Sequence, residues 1–127
     1  MEINIQDLET REFGGQGGDE FKPRGIHSLA MRFGSAVDAL IINGDQFGED
    51  GGELSSTITL EQDEYLSKIV LRAGSRIDYL RFETNKGNMI EGGGDGGYPD
   101  EVEGVILTLG GRSERLLHQL NVLGIFK

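Results

Sequence analysis

Hydrophobic and polar residues alternate along this chain in short stretches, and no stretch holds helical spacing for three turns between caps. Residues 26–33 alternate, with His27, Leu29, Met31 and Phe33 on one face and Ser28, Ala30 and Arg32 partly opposing them. Residues 65–73 and 102–109 take the matching places further along, and 57–60 is short and β-branched. Short runs rich in Ile, Val, Thr, Tyr and Phe, bounded by Gly, Asp and Asn, predict strands. One segment competes with this reading. Leu116, Leu117, Leu120 and Leu123 stand at helical spacing, but they align with two earlier strand segments, which favours a strand there as well. The predicted class is all-β, with about a dozen short strands.

The punctuation between these strands recurs. Three glycine clusters stand out: Gly14-Gly15-Gln16-Gly17-Gly18, Gly48-Glu49-Asp50-Gly51-Gly52 and Gly93-Gly94-Asp95-Gly96-Gly97. They account for much of a glycine content of 21 in 127 residues, more than twice the usual share of about 7%. Interleaved with them, Gly34-Ser35-Ala36-Val37-Asp38 leads into Ala39-Leu40-Ile41-Ile42, and Gly74-Ser75-Arg76-Ile77-Asp78 leads into Tyr79-Leu80-Arg81-Phe82. The step is 40 residues, and a second step of 40 lands on Glu114-Arg115-Leu116-Leu117-His118. Self-similarity at a fixed period marks a repeat architecture. Units of roughly 13–47, 48–91 and 92–127 are expected, forming one domain over 1–127. Each unit would bury one sheet face against a shared core, and residues 1–12 would close the ring and remove an exposed edge.

Charge and composition narrow the function. Twelve Lys and Arg against 22 Asp and Glu give a net charge of −10, which repels phosphate backbones and anionic headgroups, so no nucleic-acid partner is expected. No apolar run approaches the roughly 20 residues of a bilayer span, so membrane insertion is not expected either. The start Met1-Glu2-Ile3-Asn4-Ile5-Gln6-Asp7 has neither a basic nor an apolar leader region, which predicts no secretory signal and leaves the compartment open. With no Cys, thiolate metal sites and cysteine catalysis are excluded. Gly92, Gly94 and Gly97 satisfy a dinucleotide fingerprint literally, yet Tyr98-Pro99 follows where a helix should open. The acidic stretch 45–53 has Phe47 at a calcium-ligand position. His27 and His118 lack zinc-ligand partners, and no nucleophile elbow occurs. No catalytic residue, metal or cofactor is expected.

The Gly-Gly-x-Gly-Gly loop, the Gly-x-x-x-Asp turn and the threefold repeat resemble the jacalin-related lectins. Phe13 to Gly18, Gly34 to Asn43, Gly51 to Leu60 and Asp63 to Asn85 carry the resemblance, which extends from Arg11 to Ile125. It implies the β-prism I fold, three small antiparallel Greek-key sheets with pseudo-threefold symmetry, and sugar binding without catalysis. It also implies which residues form a site. Gly34, Ala36, Val37 and Asp38 would work with Gly52, and Gly74, Arg76, Ile77 and Asp78 with Gly97. Glu114 and His118 would stand beside Gly18 as a degenerate third site. An ionised Asp accepts bonds from two sugar hydroxyls at once, which a neutral imidazole cannot do. Main-chain N–H groups of Ala36, Val37, Arg76 and Ile77 would donate to ring and primary-alcohol oxygens, and a glycine opposite permits close approach. The family's frequent aromatic two residues before the Asp is replaced by Ala36 and Arg76, and Arg76 would either donate hydrogen bonds or project into solvent, with solvent the favoured expectation.

By the same resemblance the expected partners are mannose- or glucose-containing glycans or glycoproteins. Weak single sites favour a homo-oligomer, a dimer first. The alternative is a β-prism serving as a protein-interaction or oligomerisation module, its sugar sites decayed.

Overall fold

The structure is a computed structural model and describes residues 3–127. Residues 1 and 2 of the closing segment lie outside the described residues. A short 3-10 turn, Ile5–Asp7, is followed only by strands: β1 Glu9–Gly14, β2 Asp19–Gly25, β3 Ser28–Phe33, β4 Val37–Ile42, β5 Asp45–Gly48, β6 Glu53–Leu54, β7 Ile58–Thr59, β8 Leu66–Ala73, β9 Ile77–Thr84, β10 Met89–Gly93, β11 Tyr98–Ser113 and β12 Leu117–Phe126. The leucine-rich segment near the C-terminus is therefore a strand, and the all-β reading holds.

Hydrogen bonding joins the strands into two sheets, because one strand is shared between two faces. The first sheet runs β5-β4-β3-β6, with β7 also on β3; the second runs β1-β12-β11-β8-β9-β10, with β2 also on β11. β11 is long enough to do both jobs. Its first half, from Tyr98 to Glu103, pairs with β8, and its second half pairs with β12 and β2. Three antiparallel faces result, each ordered third-second-first-fourth: β5-β4-β3-β6, β10-β9-β8-β11 and β1-β12-β11-β2. The faces are offset from the sequence units, since 9–25 joins the C-terminal strands rather than the strands that follow it.

The period of 40 is a property of the core. Val37, Ile77 and Leu117 are fully buried, as are Leu40, Leu80 and Leu120, and Ile42, Phe82 and Val122. These residues lie on β4, β9 and β12, which meet across the axis. One related position departs: Met31 and Leu71 correspond to Gly111, and the Phe21 ring fills that space, 3.1 Å from where a Gly111 Cβ would stand. Phe21 also stacks on Phe47 with centroids 4.3 Å apart, tying the third face to the first.

A buried carboxylate pins the end of the molecule opposite the glycine loops. Glu64 accepts from Thr84 Oγ1 at 2.5 Å and Asn88 Nδ2 at 2.6 Å, and from the Glu61 N–H at 3.1 Å. These bonds, Thr84 foremost, outweigh burial and hold the Glu64 carboxyl below its ordinary range. A depressed folded-state pKa stabilises above the unfolded value and is lost as pH falls through the folded one. Glu64→Gln is therefore expected to lower the melting temperature at pH 7, with the gap to wild type narrowing as the pH falls below the ordinary Glu range of about 4.3. Melts across that range check it, and a constant gap would place the effect in packing.

Candidate functional site

Each face carries two connections at the same end: the tight turn between its first and second strands, and the glycine loop between its third and fourth. The tight turns are alike in all three faces. The N–H of Gly34 donates to the Ala36 carbonyl at 2.9 Å, that of Gly74 to Arg76 at 3.0 Å and that of Glu114 to Leu116 at 3.0 Å. None of the three leading residues has a left-handed φ, so Glu114 occupies its place without strain.

The residue that follows each turn sits in a β-bulge. Arg32 pairs with Ala39 and Phe33 with Val37, which leaves Asp38 with no residue opposite. Asp78 is the extra residue between Ile77 and Tyr79, and His118 between Leu117 and Gln119. A bulge bends the strand and re-aims one side chain. Here it also breaks the two-residue alternation, so that residues three apart, such as Leu117 and Leu120, both face the core. That is the origin of the helical spacing between Leu117 and Leu120.

The glycine loops close over the bulges. The first glycines, Gly48, Gly93 and Gly14, have φ of 122°, 122° and 96°, and a Cβ on any of them would come 2.2 Å from the carbonyl oxygen of the bulged residue. The last, Gly52, Gly97 and Gly18, have φ of 69°, 71° and 73°. A Cβ on Gly52 would stand 2.5 Å from Oδ2 of Asp38, and one on Gly97 would stand 2.6 Å from Oδ2 of Asp78. Gly51 and Gly96 face the other carboxylate oxygen, at 3.2 and 2.9 Å by the same measure. The structure thus brings Gly34 and Asp38 together with Gly52, and Gly74 and Asp78 together with Gly97, as two cups in which glycines 51–52 and 96–97 face the carboxylate. Ala36, Val37 and Ile77 are buried, so they offer only their main chain.

The third cup has the same frame and different chemistry. His118 takes the bulge position, with Nδ1 2.9 Å from where a Gly17 Cβ would be, and Gly18 meets Ser113 as Gly52 meets Phe33 and Gly97 meets Ala73, but without the carboxylate. Glu114 stands exposed beside it.

The expectation for Arg76 is corrected. Its Nε lies 3.0 Å from Oδ1 of Asp78, whose side chain is only 6% exposed, while the Arg76 side chain remains 43% exposed. A buried carboxylate needs a partner, and the residue two places earlier, on the turn, supplies it. Asp38 is half-buried and takes no side-chain bond among the described residues.

Three further residues belong to the cups. Arg32 donates to the Asp50 carbonyl at 3.3 Å. Arg72 donates to Gly96 at 3.1 Å and Gly97 at 3.0 Å. Arg112 donates to Gly17 at 3.3 Å and Gly18 at 2.8 Å. Charge-assisted bonds of this kind are roughly twice as strong as neutral ones, so they hold the loop carbonyls outward and the glycines toward the bulge. The signal that finds them is the same step of 40.

Comparison with known proteins agrees with this architecture. The Jacalin-like lectin domain family matches residues 10–123. Griffithsin from Griffithsia sp. is 38% identical over 117 residues, covering 91% of this chain and 95% of that protein. Among solved structures, wild-type Malaysian banana lectin superposes with a TM-score of 0.80 at 23% identity, over 94% of this chain and 98% of that one. AcmJRL, a mannose-binding jacalin-related lectin from Ananas comosus, superposes with a TM-score of 0.76 at 23% identity, over 92% and 96%. The chain belongs to the jacalin-related lectins: it is a carbohydrate-binding protein and not an enzyme.

Proposed function

We propose that the first and second cups each hold one mannose- or glucose-type hexose of a glycan, and that the third holds none. One observation carries this reading: in both cups a carboxylate on a β-bulge faces exposed glycines at contact distance. Such a carboxylate is acceptor-only, so two neighbouring hydroxyls can donate to it. The glycine main chain can approach the ring from the other side. His118 lacks that double acceptor, which is why the third cup is left out. The Ananas comosus relative, a mannose-binding lectin, supports the choice of hexose.

Each hydrogen bond formed against water contributes only about 1 kcal/mol net, so one cup binds weakly and linked cups gain avidity. The proposal therefore includes a homodimer, which light scattering on the purified protein tests. For the sugar, calorimetry with methyl α-mannoside carried to saturation is expected to give two sites per chain, and none in the Asp38→Ala, Asp78→Ala double variant. Three sites would return His118 to the binding set. No heat at all would favour an interaction or oligomerisation module whose sugar sites have decayed.

A further inference from the structure

We infer that the two cups differ in the charge they select: the first takes neutral hexoses, and the second prefers a hexose carrying an oxyanion, either a uronate carboxylate or a sulfate ester. The inference rests on the proposed sugar binding and concerns what distinguishes its two sites.

The distinguishing residue is Arg76. It holds the turn position occupied in the first cup by Ala36, which is buried and presents no side chain to a ligand. Arg76 spends Nε on Oδ1 of Asp78 at 3.0 Å. Its remaining guanidinium donors have no partner among the described residues, and the side chain is 43% exposed. The ion pair holds the part-exposed guanidinium beside Asp78, with its Nη donors unused among the described residues. A fixed fork of N–H donors matches a carboxylate or sulfate in two-point geometry. The same pair changes what Asp78 can do. One of its oxygens is already engaged, so a neutral hexose finds at most one unencumbered acceptor where Asp38 offers two.

The surroundings point the same way. The first cup is ringed by Glu49, Asp50 and Glu53, all exposed. Its neighbouring cation, Arg32, is drawn to Asp50, 3.8 Å away. An anionic substituent there meets these carboxylates, while Arg32 is engaged with the Asp50 main chain. Around the second cup, Asp95 is the exposed acid of the loop. Glu91 is tied to the Tyr79 hydroxyl, and Arg72 is committed to the loop carbonyls. Arg76, part-exposed beside Asp78, has guanidinium donors left without a partner among the described residues. Between Gly34-Ser35-Ala36-Val37-Asp38 and Gly74-Ser75-Arg76-Ile77-Asp78 the sequence differs twice, and only the change from Ala36 to Arg76 alters charge.

The test isolates each cup in the full-length protein. Asp38→Ala reports the second cup alone and Asp78→Ala the first. Each is titrated with methyl α-mannoside, methyl α-glucuronide and mannose 6-sulfate. With Asp38→Ala, at least one of the two anionic sugars is expected to bind about tenfold or more tightly than the mannoside at roughly 20 mM salt. That advantage should fade at about 500 mM, where charges are screened within a few ångströms. Which anion wins tells carboxylate from sulfate. Arg76→Gln on the same background should erase the preference while leaving the thermal transition cooperative; the salt dependence reads the same effect without touching Arg76. Asp78→Ala should bind the mannoside only. The inference is overturned if the second cup binds the mannoside at least as tightly as both anions, binds none of the three, or keeps its preference in high salt. If neither single variant binds any sugar, the proposed function itself has failed.

Discussion

Asp38→Ala is expected to abolish hexose binding at the first cup while leaving the melting temperature of the protein unchanged. Both halves follow from the same geometry. The carboxylate is held at the loop by a bulge and not by bonds of its own, since Asp38 has no side-chain partner among the described residues. Removing it leaves no buried donor unsatisfied, so the usual penalty of about 1–3 kcal/mol for an orphaned group does not arise. Bound sugar, by contrast, loses two hydrogen bonds to a charged acceptor. Such bonds are worth about 1.5–3 kcal/mol each, and even the lower figure for the pair weakens binding by about a hundredfold. Calorimetry with methyl α-mannoside should show the stoichiometry fall from two to one, and differential scanning calorimetry should show superimposable transitions. Asp38→Asn is the sharper companion, because it keeps the shape and one acceptor and so should weaken the cup without emptying it. Unchanged stoichiometry would move the sugar elsewhere. A large loss of stability would make Asp38 a structural residue and remove the argument for the cup.

Much of this was legible before any coordinates, and for an identifiable reason. A step of 40 residues places the same kind of side chain at the same point of three faces, so one repeat annotates the next. The recurring Gly-x-x-x-Asp turn marked the units, and the resemblance it carried implied the pairs Asp38 with Gly52 and Asp78 with Gly97, whereas the burial of Val37, Ile77 and Leu117 in the core is added by the structure. What stayed hidden has two causes. One is pairing that depends on where a long strand turns: nothing local in 98–113 says that β11 serves two faces. The other is side-chain direction. Arg32, Arg72 and Arg112 share the period, but an arginine on a strand reads as a solvated face until its guanidinium is seen against a loop carbonyl. Arg76 misled in the same manner, since exposure of the turn suggested solvent and burial of Asp78 decided otherwise. The bulge is an intermediate case. It leaves a trace in the sequence, apolar residues three apart within a strand, and that trace imitates a helix.

The largest stability effect should come from the second face, through Phe82→Ala. Phe82, Ile42 and Val122 are equivalent positions on the three strands that meet across the axis, and all are completely buried. They differ in size, and the core closes around the largest. Emptying a buried Phe site to Ala costs about 3–5 kcal/mol, because the lost transfer energy is joined by a cavity the neighbours fill only in part. Here those neighbours are strand-bound: Ile69 and Ile90 flank Phe82 in register on β8 and β10, and a hydrogen-bonded strand cannot close a void without giving up its ladder. For a domain of this size the loss corresponds to a fall in melting temperature of about 10–20 °C. Ile42→Ala should cost less, and Val122→Ala least of the three, although the three side chains are equally hidden from solvent. Denaturant titrations with a common slope would read the series directly. Equal losses at all three positions would mean that the cost lies in breaking the threefold contact itself and not in the volume each face contributes. The cups add a second readout. They stand at the far ends of these strands, beyond the bulges, so at temperatures where Phe82→Ala remains folded its affinity for methyl α-mannoside should match the wild type.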